Sequence, residues 1–154
     1  MKLRSVLLLS CLLLSGVAGA TSTAPTVSAS GAWIRLLPAG LPAAGYATLH
    51  NDSDLKQRLV GADSDDFGSV MLHESLRGGS ARMRMVDGMD IPAHGSAALE
   101  PGGFHFMLTA PTRTLKTGEQ VILTLRFDDG SELPVAFEVR PANAEAPAPH
   151  AHAH

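Results

Sequence analysis

Cysteine is almost absent from this 154-residue chain: Cys11 stands alone, inside the apolar run Val6 to Leu14 that follows Lys2 and Arg4. That opening, with Ala18-Gly19-Ala20 after it, has the charged, apolar and small-residue regions of a secretory leader, so the expected mature chain begins near Thr21. Cleavage there removes the one thiol, which excludes a disulfide scaffold, a cysteine nucleophile and a thiolate metal site. The apolar run is shorter than the ~20 residues a spanning helix needs, so no membrane span is expected after cleavage. Leu8-Leu9-Ser10-Cys11 offers a lipidation site as a minor alternative, with a very short apolar stretch before the cysteine.

Basic residues are also in short supply. The leader takes Lys2 and Arg4 from twelve Lys and Arg and nothing from fifteen Asp and Glu, leaving a formal charge of −5. An acidic balance argues against nucleic acid or an anionic lipid surface as partner. Aromatics are 5% of the chain, with one Trp and one Tyr; Trp33 and Tyr46 are expected to anchor the core. Enzyme motifs are missing as well: there is no nucleophile elbow and no phosphate-cradling glycine loop between a strand and a helix.

No apolar pattern at helical spacing is long enough to define a helix, whereas short β-rich runs recur between Gly, Pro, Asp and Ser. The expected strands are 27–36, 45–51, 57–62, 69–76, 81–86, 96–99, 105–110, 120–127 and 132–139. Their number and spacing indicate an all-β sandwich or barrel. Asp128-Asp129-Gly130 and Arg77-Gly78-Gly79-Ser80 read as hairpin turns, and Leu37 to Pro42 as a loop, because proline removes ladder donors. The organisation is thus a leader (1–20), one domain (21–140), and a Pro-, Ala- and His-rich disordered tail (141–154).

Present in quantity are methionine and histidine on those strands: Met71, His73, Met83, Met85, His105 and Met107. Taken singly, each Met is a gap-filler and each His a surface group. Their alternation is the informative feature. Residues two apart on a strand share a face, so His105 and Met107 project together while Phe104 and Phe106 point away. Met71 and His73 repeat the arrangement, and Met83 with Met85 sits on the strand beyond the glycine turn. A two-residue turn would pair His73 with Arg84; a three-residue or bulged turn would set it opposite Met83. Met89, His50 and His94 are assigned no role, Met89 as a turn residue and the histidines as loop or strand-end groups. Thioether sulfur is a soft, neutral donor that selects Cu(I) over Zn(II), Ca(II) or Mg(II), and a blue-copper site would need the missing thiolate. Neutral donors leave the ion's charge uncompensated, which suits transfer to a thiolate acceptor.

Met83, then twenty-one residues, then His105-Phe106-Met107, with His73 upstream, resembles the motif of PCu(A)C-type periplasmic copper chaperones. The family has ten residues between the first His and the Met; here there are nine. Gly31-Ala32-Trp33-Ile34-Arg35, Ala43 to Leu49, Asn51, Leu72-His73-Glu74, Ile91-Pro92 and Pro101-Gly102-Gly103-Phe104-His105 extend the resemblance over nearly the whole domain. It implies a cupredoxin-like Greek-key fold, Cu(I) ligation by His73, Met83, His105 and Met107, and a periplasmic, non-enzymatic role as a monomer. It also implies copper delivery toward the Cu-A centre of cytochrome oxidase subunit II, alongside Sco-type proteins. Met71 and Met85 are not family ligand positions; each reads first as core or rim packing, with a role as auxiliary thioether the alternative. His150, His152 and His154 in the tail are candidates for Cu(II). Two rival functions are a copper-dependent oxidoreductase or cupric reductase, which would turn over ascorbate and oxygen, and a secreted interaction domain, which would bind no copper.

Overall fold

A computed structural model describes residues 26–38, 40–76 and 82–145. Ten strands follow in order: β1 (Val27–Arg35), β2 (Ala43–Asn51), β3 (Gln57–Asp63), β4 (Phe67–Leu76), β5 (Arg82–Met85), β6 (Met89–Ile91), β7 (Gly95–Leu99), β8 (Phe104–Pro111), β9 (Gln120–Phe127) and β10 (Glu132–Arg140). No helix occurs among the described residues. Alternation of apolar and polar residues builds the strands. In β9, Val121, Leu123, Leu125 and Phe127 are buried and the residues between them face outward, the period-2 pattern of a half-buried strand.

All ten strands belong to one mixed sheet in the order β5-β4-β8-β7-β2-β1-β10-β9-β3-β6. The pairs β1–β10 and β7–β8 are parallel. β2 serves two neighbours: its second half pairs with β7, and residues 43–45 pair with β8. The sheet folds over on itself, bringing β3 against β4 and β6 against β7. Ile34, Leu49, Leu59, Phe106, Leu123, Leu125 and Phe137 lie fully buried in a single cluster between the two halves.

The sequence-derived strands recur with ends shifted by at most two residues, and the described residues of the 37–42 segment lie outside the strands. The hairpin at Asp128-Asp129-Gly130 forms, with Gly130 at φ +83°, a left-handed conformation that glycine adopts without a Cβ clash. Two expectations are corrected. Met89 lies not in a turn but on β6, pairing with Leu59 and buried in the core; a three-residue strand between turn residues leaves almost no periodicity to read. The β4–β5 register is neither of the two anticipated: His73 is opposite Met85 and Ser75 opposite Met83. Pairing among the described residues runs to Leu76 and Arg82. The Arg77-Gly78-Gly79-Ser80 turn lies outside the described residues, as do the leader and the tail from 146 onward.

Candidate metal centre

One face of β5, β4, β8, β2 and β1 gathers the donor side chains. Met85 is opposite His73, and His73 is opposite His105. Ala44 pairs with Met107 and Gly45 with Phe106, so alternation puts Tyr46 beside His105 on the same face. Tyr46 pairs in turn with Trp33. The result is a single row across five strands: Met85, His73, His105, Tyr46, Trp33. Its ring centroids are 6.0 Å apart from His73 to His105, 6.4 Å from His105 to Tyr46, and 4.7 Å from Tyr46 to Trp33. The next row holds Met71 opposite Met107, then Ala44, then Arg35.

A bulge in β1 brings Trp33 into this row. Between the pairs Ser30–Thr48 and Trp33–Tyr46, β1 carries one residue more than β2, and Gly31 takes φ +59° there. An inserted residue turns the following side chains to the opposite face. The ladder buries Trp33 (1% exposed), and the guanidinium groups of Arg35 and Arg140 lie 5.3 and 5.6 Å from its ring centroid. Arg35 also lies 5.4 Å from the Tyr46 ring. Its Nε is buried without a hydrogen-bond partner, and the aromatic faces supply the compensating attraction.

His105 is buried, at 6% exposure, and its Nδ1 lies 3.1 Å from the carbonyl oxygen of Gly103. A carbonyl only accepts, so Nδ1 carries the proton and Nε2 keeps its lone pair for a metal. His73 Nδ1 stands 3.4 Å from the carbonyl of Met71, a longer and weaker version of the same arrangement. Burial pushes the His105 pKa below the ordinary imidazole value, opposed by the Gly103 hydrogen bond and aided by His73. The imidazole is therefore held in the neutral form that binds metals.

Met107, Met71 and His73 are half-buried, and Met83 and Met85 are exposed at the sheet's edge. Among the described residues no group of three or more His, Cys, Asp or Glu could hold a metal. The two imidazoles and the neighbouring thioethers form a donor set that would fit a soft cation. Charge points the same way: the row contains no carboxylate, and Arg35 stands close to its aromatic end. In a partly desolvated setting a divalent ion without anionic ligands is penalised more than a monovalent one.

The structure thus assembles His73, His105, Met107, Met71 and Met85 on one face, with Met83 one row further out opposite Ser75. His50 and His94 are engaged elsewhere. His50 bridges the hydroxyls of Ser30 and Ser96 at 2.8 Å each, and His94 pairs with Asp54 at 2.7 Å. Tyr46 and Trp33, buried as expected of core anchors, are also neighbours of the donors, a placement that the sequence does not reveal because only non-local strand pairing creates it. The tail histidines lie outside the described residues.

The family model described as "Putative lipoprotein LpqE-like" matches residues 27–139, all of the sheet but its last residue. The chain belongs to the LpqE-like family. This LpqE-like chain is 35% identical over 116 residues to the "Putative lipoprotein Lxx21020" of Leifsonia xyli subsp. xyli, covering 74% of this chain and 69% of that protein. Among solved structures it is similar to Cu(I)-bound DR1885 from Deinococcus radiodurans, with 38% identity, a TM-score of 0.63, and coverage of 82% of this chain and 85% of that one. It is also similar to the copper-bound PCuAC domain from PmoF2, with 25% identity, a TM-score of 0.64, and coverage of 81% and 97%. The LpqE-like sheet is accordingly the cupredoxin-like fold of PCuAC domains, as the resemblance led us to expect.

Proposed function

We propose that this LpqE-like protein is an exported copper chaperone that carries one Cu(I) ion on the β5–β4–β8 face and passes it to a thiolate-bearing acceptor. The observation that carries the reading is the His73–His105 pair, directly opposed in the ladder and flanked by thioethers with no carboxylate among them. His73 and His105 supply imidazole nitrogen, Met107 supplies sulfur beside His105, and β5 supplies a second thioether, assigned to Met83 by the family spacing. Similarity to copper-bound PCuAC domains supports copper as cargo. Donors without charge hold Cu(I) while leaving it attractive to a thiolate, so transfer is favoured over storage. A Cu-A site, whose ligands include thiolates, is a suitable destination, whether reached directly or through a Sco-type partner.

Export follows from the leader, and the lipoprotein description of the family adds weight to lipidation at Cys11 as the route. Either route places the domain outside the cytoplasm, in the periplasm where an outer membrane encloses one. The test is anaerobic Cu(I) titration against a chromophoric chelator. One equivalent should bind tightly to the wild type and be lost in His105→Ala. A domain that prefers Zn(II), or binds Cu(I) as well without His105, is not this chaperone.

A further inference from the structure

Arg58, Arg84, Arg113, Arg126 and Arg140 each hold a carboxylate at 2.6 or 2.7 Å. Arg35 holds none, although every Asp and Glu of the chain lies among the described residues. Its hydrogen bond runs instead from Nη2 to the carbonyl oxygen of Ala144, at 3.2 Å. We propose that Arg35 sets the affinity and the oxidation-state preference of the donor face: its uncompensated charge weakens the hold on copper, and on Cu(II) more than on Cu(I). This rests on the reading of the face as a Cu(I) site.

Position gives that charge its reach. The row of Met71, Met107, Ala44 and Arg35 puts Arg35 two strands from Met107, about 10 Å at the usual strand spacing of about 4.8 Å. Along the adjacent row the guanidinium is 5.4 Å from the Tyr46 ring centroid, and that ring is 6.4 Å from His105. Both rows continue onto β10, where Glu138 is the partner of Trp33 and Arg140 the partner of Arg35. Glu138 and Arg140 cancel each other: Nε and Nη2 of Arg140 donate to one Glu138 carboxylate oxygen at 3.1 and 2.7 Å. Across the two rows the net charge is therefore that of Arg35.

A guanidinium taken partly out of water has to be compensated. A carboxylate partner would do so and cancel its field, whereas aromatic faces do so and leave its charge in place. Trp33 and Tyr46, at 5.3 and 5.4 Å, act in the second way, and the buried Nε has no partner at all. Neutral imidazole and thioether donors leave bound copper with its full formal charge, so Arg35 repels it. Repulsion grows with the product of the charges, and Cu(II) suffers twice the penalty of Cu(I). The smaller cost to Cu(I) serves release, because an anionic thiolate draws the ion away from a cation that pushes it out.

Arg35→Gln removes the charge and Arg35→Lys keeps it. Both are made in the full mature chain with His150, His152 and His154 changed to Ala, so that tail imidazoles take no Cu(II), and are compared with that parent. Dissociation constants are read against chromophoric chelators, anaerobically for Cu(I) and in air for Cu(II). Arg35→Gln is expected to bind Cu(I) about fivefold tighter and Cu(II) about twenty-fivefold tighter, the square of the first ratio, while Arg35→Lys stays within about twofold of the parent for both ions. Lost packing would weaken both ions, so tightening is the signature of a lost charge. Should Arg35→Gln fail to fold, Glu138→Gln tests the same field with the opposite sign: it uncovers the charge of Arg140, and Cu(I) should bind about twofold and Cu(II) about fourfold more weakly. Unchanged or weaker binding in Arg35→Gln, equal gains for the two ions, the same tightening in Arg35→Lys, or undiminished binding in Glu138→Gln overturns the role of Arg35 and leaves the copper site standing. Failure of the wild type to bind Cu(I), or undiminished binding by His105→Ala, overturns the chaperone reading itself and the role of Arg35 with it.

Discussion

His105 combines a buried ring, a proton fixed on Nδ1 and a neighbouring imidazole at a 6.0 Å centroid distance. Burial lowers its folded-state pKa beneath the unfolded value, so the folded apo protein binds fewer protons than the unfolded chain as pH falls through the imidazole range. The stability that rests on neutral His105 is therefore complete above about pH 6.5 and is lost as pH falls through the lower folded value. Urea midpoints of the apo protein should drop between pH 7.5 and 5.5, and His105→Gln should flatten that drop. An unchanged slope in the variant would place the pH sensitivity elsewhere. If His105 binds Cu(I) as proposed, copper uptake should have the same sign, because protons and metal would compete for Nε2.

At the scale of an element, β8 performs two tasks on its two faces. Phe106 is fully buried in the core, while its neighbours His105 and Met107 face the donor row. Phe106→Ala should cost about 3–5 kcal/mol of stability through the cavity it leaves. Met107→Leu should change stability by less than about 1.5 kcal/mol, being nearly isosteric, yet weaken Cu(I) binding. Denaturant titration and chelator competition on the same two variants separate the roles; a large stability loss in Met107→Leu would mean that it serves the core instead. This two-faced strand was legible in the sequence because alternation is local. So was the hairpin at Gly130, where a short polar turn sits between two strongly periodic runs. The β4–β5 register was not legible, because alternation fixes the face a side chain takes but not the residue it meets across a glycine-rich link, and several turn lengths fit the same pattern. The place of Trp33 was hidden for a related reason. Its face is reset by the Gly31 bulge, and its neighbour Tyr46 meets His105 only through the shared edge of β2.

At the scale of the whole molecule, the folded sheet carries the row from its outermost strand β5 inward and closes the core behind it, so an ion bound as proposed could exchange without unfolding. The nine residues past Glu145 extend the chain with Pro, Ala and alternating His150, His152 and His154. Imidazole without thioether is a borderline donor set that accommodates Cu(II), whereas a face with sulfur and no anion, as proposed for the sheet, should favour Cu(I). The two regions should thus divide the oxidation states between them. Ending the chain at Glu145 is expected to remove about one equivalent of Cu(II) uptake, read by electron paramagnetic resonance, while leaving the Cu(I) constant within about twofold. If Cu(II) uptake survives the truncation, the tail imidazoles are not the Cu(II) ligands. If Cu(I) affinity falls with it, the tail contributes to the face site and the division by oxidation state does not hold. The expected result would make the tail a collector of oxidised copper beside a site that retains only the reduced ion, with a reductant needed between them.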